Sequence, residues 1–224
     1  MKRYTEFEFS AGLRWTHWLR ALAIFVLIVT GFYLAYVFIV PAASDEPVVF
    51  LNAKFRMWHE IAGFLLIAVT IFKAYLFVID RQSAKERIAF MDILSLKVWF
   101  QQIKYYLFIG KHPELKGAYN PLQFVAYIGL YAMVFLVSLT GLILYVHMYQ
   151  AGGIGAALYD YMRPIEAMMG GLAMVREIHH ITMWGIMLFI PVHIYMAIFN
   201  SIMGREGSMD SIISGYRYNK TTKH

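Results

Sequence analysis

The segment ITMWGIMLFIPVHIYMAIFNSIM, residues 181–203, decides the fold, because its twenty-three residues include no Asp, Glu, Lys or Arg. About twenty apolar residues in a helix are enough to cross the hydrocarbon core of a bilayer. In lipid the backbone has no water to bond, so such a stretch is expected to be helical. The segment therefore predicts one membrane-spanning helix.

Three similar stretches lie upstream. Residues 21–40 and 122–146 contain no Asp, Glu, Lys or Arg, and residues 61–79 contain only Lys73. We therefore predict an all-α membrane protein, a single domain over residues 1–224 that forms a four-transmembrane-helix bundle in the lipid bilayer. The expected spans cover residues 18–40, 58–80, 121–147 and 178–203.

The composition agrees with a membrane protein and restricts its chemistry. Hydrophobic residues make up 60% of the chain and charged residues only 15%, whereas about a quarter of a soluble domain is charged. The chain has no cysteine, which excludes disulfides and cysteine-held iron–sulfur clusters within it. Redox chemistry in this chain must therefore use histidine or a bound organic cofactor.

The basic residues predict the orientation. Of the twenty Lys and Arg, four lie in residues 1–20, seven in 81–116 and four in 205–224, whereas the two alternate loops carry four in all. Lys and Arg favour cytoplasmic loops, so we expect both termini to be cytoplasmic in a bacterial inner membrane. The net charge of +6 then reflects topology, and nucleic acid is not an expected partner.

Both long loops show further patterns. Ile93, Leu96, Phe100, Ile103 and Leu107 recur at helical spacing, which predicts an amphipathic helix at the cytoplasmic membrane interface.

The loop over residues 148–176 is apolar for a connecting segment, and its proline, Pro164, is suited to start a short helix. Either a partner protein or the bundle itself would cover this loop.

Two histidines of the fourth predicted span lie fourteen residues apart, His179 and His193. This is nearly four helical turns, so both point to the same side, about 21 Å apart along the axis. The separation is too large for one metal ion and suits two stacked planar cofactors. His180 points about 100° away from His179 and is the alternative ligand at that level.

Depth along the spans pairs these histidines with two others. His17 lies at the cytoplasmic start of the first span, level with His193, and His59 lies at the outer start of the second span, level with His179. Imidazole is a common haem ligand, so the pattern predicts an inner and an outer haem. The remaining histidines are interpreted as structural: His112, His147 and His224.

Other residues at these levels have two interpretations. Gly31 either lets a porphyrin approach the first span or serves ordinary helix packing. Four arginines either pair with haem propionates or extend to the membrane surface: Arg14, Arg20, Arg56 and Arg176.

The motif RWTHWL at residues 14–19, followed by LIVTG at residues 27–31, resembles the first signature of the cytochrome b subunits of membrane-bound nickel–iron hydrogenases. His179 and His180 with Trp184, Phe189 and His193 resemble the second signature. The resemblance extends over all four spans and includes the related gamma subunit of formate dehydrogenase. It implies two b haems, with iron held by the residues matching His17, His59, His179 and His193.

The segment YNPLQ, residues 119–123, resembles a quinone-contacting segment of that family. Asn120 and Gln123 are three residues apart and share a helix face, so their amides are candidates to bind menaquinone or ubiquinone. Alternatively, Asn120 is a helix cap with Pro121 in the first turn, which leaves Gln123 unexplained.

The resemblance implies an electron-transfer subunit that is not an enzyme by itself. Its partners would be the small and large hydrogenase subunits on the periplasmic side. Electrons from hydrogen oxidation would enter at the outer haem and reach quinone near the inner haem. The alternatives are the gamma subunit of a formate dehydrogenase-type complex and a stand-alone di-haem quinone oxidoreductase.

Overall fold

The computed structural model describes residues 3–40, 50–107, 109, 113, 115–117, 119–203 and 208–220. His112 and His224 lie outside them. The elements in chain order are β1 (Arg3–Phe7), α1 (Ala11–Tyr36), α2 (Leu51–Ile79), α3 (Ala84–Ile88), α4 (Phe90–Ile93), α5 (Leu96–Tyr106), α6 (Pro121–Met148), α7 (Gly153–Met168), α8 (Leu172–Met203), α9 (Ser208–Ser214) and β2 (Tyr216–Lys220).

Four of these helices, α1, α2, α6 and α8, are long and apolar enough to cross a membrane. The prediction of an all-α membrane fold with four spans is therefore confirmed. Three of the helices begin about seven residues before the expected span. The additional turns carry charged side chains such as Arg14 in α1 and Lys54 in α2. Because the spans were predicted from uncharged stretches, these turns lay outside the predicted bounds.

The chain divides into two compact units. The first unit contains residues 1–17, 72–132 and 186–224, and the second contains residues 18–71 and 133–185. Each of the four long helices contributes one part to each unit. The prediction of a single domain over the whole chain stays a prediction.

The first unit contains a small sheet that the sequence pattern did not predict. Strands β1 and β2 pair antiparallel, with Phe7 opposite Tyr216. The guanidinium of Arg217, a residue of β2, donates to the carboxylate of Glu8, which follows β1, at 3.0 Å. The sheet therefore holds the two ends of the described chain together.

Helix α5 corresponds to the predicted amphipathic helix but is shorter. The helical path breaks at Leu94 and Ser95, and the indole N–H of Trp99 donates to the carbonyl of Ile93 at 2.9 Å. On α5 the apolar Leu96 is 77% exposed, whereas Gln102 is fully buried. This distribution fits a helix whose apolar face contacts lipid at the membrane interface.

In the second unit, the prediction that Pro164 starts a short helix is wrong. Helix α7 begins at Gly153, and Pro164 lies in its interior. The helix continues past the proline to Glu166, which is buried and bonds to the imidazole of His147 and to Arg163. The hydrogen bond from His147 lowers the pKa of Glu166, so the carboxylate stays charged and ties α7 to the end of α6.

A buried ion pair in the first unit generates a stability prediction. Lys73 on α2 donates to both carboxylate oxygens of Glu86, at 3.0 and 2.8 Å, and both side chains are buried. Lys73→Met leaves the buried Glu86 carboxylate without its cation and should destabilise the protein by about 3–5 kcal/mol. Thermal unfolding in detergent measures the loss. The double variant Lys73→Met/Glu86→Leu is the control and should recover most of it, and a double variant as unstable as the single one would contradict the prediction.

Candidate haem sites

The first unit brings His17 of α1 and His193 of α8 together. Their imidazole centroids are 6.2 Å apart, with the ring planes at 49°. The ring of Phe189 stacks on His193 at 5.5 Å and 13°, and Tyr127 contacts the same imidazole at 5.9 Å. Aromatic side chains therefore restrict the orientation of the His193 ring.

The second unit brings His59 of α2 and His179 of α8 together in a similar way. Their centroids are 6.3 Å apart, with the planes at 59°. His180 has an exposed side chain, and its ring contacts His179 at 6.4 Å. The structure thus pairs His59 with His179, and His180 points away from that pair.

The two spacings fit one iron ion between each pair of rings. A metal ion lies about 2 Å from an imidazole nitrogen that binds it, and the ring centre lies about 1 Å behind that nitrogen, so two axial imidazoles have centroids about 6 Å apart. No group of three or more His, Cys, Asp or Glu is placed to hold a metal ion among the described residues. Paired histidines with no third protein ligand are what a haem requires, since the porphyrin supplies the other four ligands.

A threonine hydroxyl accompanies each imidazole of the second unit. Thr30 Oγ1 lies 2.9 Å from Nδ1 of His59, and Thr140 Oγ1 lies 2.9 Å from Nδ1 of His179. The contact leaves Nε2 as the ring nitrogen available to face the partner imidazole.

A glycine follows each of these threonines. A Cβ atom on Gly31 would lie 3.2 Å from Cε1 of His59, and one on Gly141 would lie 3.5 Å from Cε1 of His179. Gly31 therefore makes room for an imidazole, which differs from both interpretations that the sequence suggested.

Thr30, Thr140 and Gly141 were not predicted as site residues from the sequence. The signal that identifies them is the dipeptide Thr-Gly, which occurs in both the first and the third span, at residues 30–31 and 140–141.

The predicted quinone residues form a helix cap. The backbone N–H of Gln123 donates to Asn120 Oδ1 at 2.9 Å, and the backbone N–H of Asn120 donates to Gln123 Oε1 at 3.2 Å. This reciprocal pair is a capping box at the start of α6. Gln123, which helix capping by Asn120 alone left unexplained, therefore has a structural role in this cap.

The Asn120 side chain also joins a polar cluster in the first unit. Its amide donates to the hydroxyl of Tyr106 at 2.8 Å, and that hydroxyl faces Gln102 and Asn200 as well. Both amide atoms of Gln102 are buried, and neither makes a well-formed hydrogen bond to a described residue. Burial raises the pKa of Tyr106, so its phenol remains a hydrogen-bond donor.

A second phenol, that of Tyr119, is linked to His193 through Tyr127, whose ring contacts both side chains. The hydroxyl of Tyr119 donates to Glu86 at 3.3 Å, and its ring contacts Tyr127 at 4.8 Å. Burial raises the pKa of Tyr119 well above its usual value, and the nearby charge of Glu86 adds to the shift. Tyr119 therefore stays protonated.

Two of the four arginines considered as propionate partners bond to groups of the protein. Arg14 donates to the carbonyl of Ile213 at 2.5 Å, and Arg56 donates to the sulfur of Met148 at 3.4 Å. Arg20 is partly buried and Arg176 is exposed.

Comparison with known proteins identifies the family. The model of the prokaryotic cytochrome b561 family matches residues 8–215, and so includes both histidine pairs. The chain belongs to the prokaryotic cytochrome b561 family. This cytochrome is therefore a membrane protein that binds haem b and transfers electrons.

Several relatives align over nearly the whole cytochrome. A probable Ni/Fe-hydrogenase 1 B-type cytochrome subunit of Escherichia coli is 28% identical, covering 98% of this chain and 93% of the relative. A probable Ni/Fe-hydrogenase B-type cytochrome subunit of Cupriavidus necator is also 28% identical, covering 94% and 86%. One of the same name from Bradyrhizobium diazoefficiens is 29% identical, covering 96% and 87%.

The two glycines beside the imidazoles generate a matched prediction. Gly31→Ala places a methyl group 3.2 Å from His59, closer than ordinary contact, whereas Gly141→Ala places one 3.5 Å from His179. Gly31→Ala should therefore lower the haem content or broaden the reduced α-band, and Gly141→Ala should leave both near wild type. A reduced-minus-oxidised spectrum with a pyridine haemochrome assay measures the difference. Equal effects of the two substitutions would contradict the prediction.

Proposed function

We propose that this cytochrome is the di-haem membrane subunit of a nickel–iron hydrogenase and passes electrons to quinone. The observation that carries the proposal is the pair of imidazole spacings, 6.2 Å in the first unit and 6.3 Å in the second. In this proposal His17 and His193 hold one haem b, and His59 and His179 hold the other. Bound haem supplies one-electron redox chemistry, and the chain holds and orients it.

The names of the relatives support a hydrogenase partner. Each of the three relatives above is named as a hydrogenase cytochrome subunit, which favours hydrogenase over a formate dehydrogenase-type partner or a stand-alone oxidoreductase. The cytochrome has no cysteine, so any iron–sulfur clusters of the complex belong to the partner subunits. The partner's small and large subunits would lie on the periplasmic side of the inner membrane.

The distribution of basic residues supports an orientation of the cytochrome in the membrane, and the orientation gives the direction of electron transfer. Fifteen of the twenty Lys and Arg lie in the segments that we assign to the cytoplasm. Both termini are then cytoplasmic, the His17–His193 pair is the inner haem site, and the His59–His179 pair is the outer one. Electrons from hydrogen would enter at the outer site and leave at the inner site.

The quinone site is proposed beside the inner pair. The polar cluster of Tyr106, Asn120 and Gln102 belongs to the same unit as His193. Within the described part of the chain, both amide atoms of Gln102 are buried without well-formed hydrogen bonds. An unpaired buried amide costs free energy, so the Nε2 hydrogens of Gln102 are suited to donate to a quinone carbonyl. Asn120 and Gln123 remain part of the proposed site, and their capping box holds the start of α6 in place beside it.

Replacing a proposed inner ligand tests the function. The His193→Ala variant of the whole complex should lose one of two haems and at least tenfold of its hydrogen-dependent quinone reduction. Hydrogen oxidation with a soluble artificial acceptor should persist, because that reaction occurs in the partner. His180→Ala is the matched control and should retain both haems. Normal quinone reduction in His193→Ala would overturn the ligand assignment. Purification of the cytochrome without associated hydrogenase subunits would overturn the proposal of a hydrogenase partner.

Two adjacent glutamines on α5 test the quinone site. Gln102 is buried, whereas Gln101 is exposed, so both can be changed to Leu in one helix. Gln102→Leu should raise the KM for quinone several-fold with both haem spectra intact, and Gln101→Leu should change neither. If both variants reduce quinone like wild type, Gln102 is not a quinone contact.

A further inference from the structure

We propose that Thr30 and Thr140 are positioning residues that fix the tautomer of His59 and His179 and thereby set the redox potential of the haem between them. The inference rests on the proposed function in one respect, which is that these two histidines are the axial ligands. The further inference states which ring nitrogen of each histidine binds iron and which side chain holds the imidazole in that tautomer.

The hydroxyl of each threonine lies within hydrogen-bond distance of two carbonyl oxygens of its own helix and of one imidazole nitrogen. Thr30 Oγ1 is 2.7 Å from the carbonyl oxygen of Val26, one turn earlier in α1, and 2.9 Å from Nδ1 of His59. A hydroxyl has only one hydrogen to donate but can accept as well. Threonine inside a helix commonly donates to the carbonyl four residues earlier, and the 2.7 Å distance fits that bond.

The same arrangement occurs at the opposite imidazole. Thr140 Oγ1 is 2.8 Å from the carbonyl oxygen of Leu136 in α6 and 2.9 Å from Nδ1 of His179. The matching distances come from different helices and from segments distant in sequence. A repeated Thr–carbonyl–imidazole arrangement on both sides of one site is difficult to explain by helix packing alone.

The tautomer follows from the single hydroxyl hydrogen. With that hydrogen donated to the carbonyl, the threonine oxygen must accept from the imidazole, so Nδ1 carries the proton. Nε2 is then unprotonated, and its lone pair faces the other ring of the pair. In the opposite tautomer, Nε2 would carry the hydrogen and have no lone pair for a metal ion.

The hydrogen bond also affects the electronic properties of the ligand. A ring that donates from Nδ1 is a more basic ligand at Nε2, because the bond draws the proton partly away from the ring. A basic ligand favours ferric over ferrous iron. Removing the acceptor should therefore raise the reduction potential of this haem and leave the His17–His193 haem unchanged.

The adjacent glycine matters at His59. A Cβ on Gly31 would lie 3.2 Å from Cε1 of His59, so the absence of a side chain lets the ring edge lie against α1 within reach of the Thr30 hydroxyl. At Gly141 the corresponding distance to His179 is 3.5 Å, which is ordinary contact, so there the threonine orients the ring without needing the glycine.

The experiment compares four variants of the full chain in its complex. Thr30→Val and Thr140→Val remove the acceptor with little change in volume, and Thr140→Ser retains it. Thr182→Val is the matched control, because Thr182 is buried and donates to the carbonyl of Ile178 at 2.7 Å. The readouts are haem content, a redox titration that resolves the two haems, and the low-spin ferric signals in electron paramagnetic resonance.

Each Thr→Val variant should shift the ferrous-to-ferric ratio of one haem toward ferrous by up to about tenfold, which is about 59 mV for a one-electron couple. The signal of that haem should change as well. If valine weakens binding and lowers the content of that haem, Thr140→Ser should restore it. Thr140→Ser and Thr182→Val should otherwise match wild type.

Three results would overturn the proposal: unchanged potentials in both Thr→Val variants, a shift of equal size in Thr182→Val, or a Thr140→Ser variant that behaves like Thr140→Val. His59→Ala and His179→Ala separate this proposal from the function it rests on. If these variants keep two haems, the ligand assignment fails. If they lose one haem while the threonine variants match wild type, only the role of the threonines fails.

Discussion

The distance between facing imidazoles is the constraint on which the rest of the structure depends. At 6.2 and 6.3 Å, the rings of each pair are spaced for two nitrogen–metal bonds rather than for close stacking on each other. Each pair takes one ring from α8 and one from an earlier helix, so two helices must keep a fixed separation at each level. Small residues at the helix surface, as at Gly31, and aromatic neighbours, as at Phe189, keep that separation while excluding alternative ring orientations.

The lipid environment explains how polar side chains are used around these pairs. A polar group inside a bilayer has no water to bond, so the protein must supply its partner. The threonines bond to their own helix, Lys73 bonds to Glu86, and Asn120 bonds to Gln123 and Tyr106. Gln102 departs from this pattern, because its buried amide atoms have no well-formed hydrogen bond among the residues that the structure describes. A departure from complete pairing is expected where a ligand binds.

Much of the fold was predictable because hydropathy and helical periodicity act over short stretches of sequence. They predicted four spans, and depth along those spans selected four histidines that the structure brings together in the two expected pairs; their role as ligands stays a prediction. The sheet of β1 and β2 was missed because each strand is five residues long and is defined by a partner at the other end of the chain. The start of α7 was predicted wrongly, because proline prefers the first turn of a helix. The contacts of Glu166, beyond the proline, outweigh that preference of Pro164. The threonines were missed because a hydroxyl that bonds to a neighbouring helix leaves no periodic signal.

The pairing of β1 with β2 has a consequence for the order of assembly. Strand β1 is translated before α1, whereas the last residue of its partner, Lys220, is translated only after α8. Residues 3–7 therefore remain unpaired while the helices insert. To pair with β2, they must lie on the same side of the membrane as β2. An even number of crossings satisfies that requirement. The sheet can therefore form only after α8 has been synthesised, and a chain that stops before β2 would carry an unpaired β1 edge.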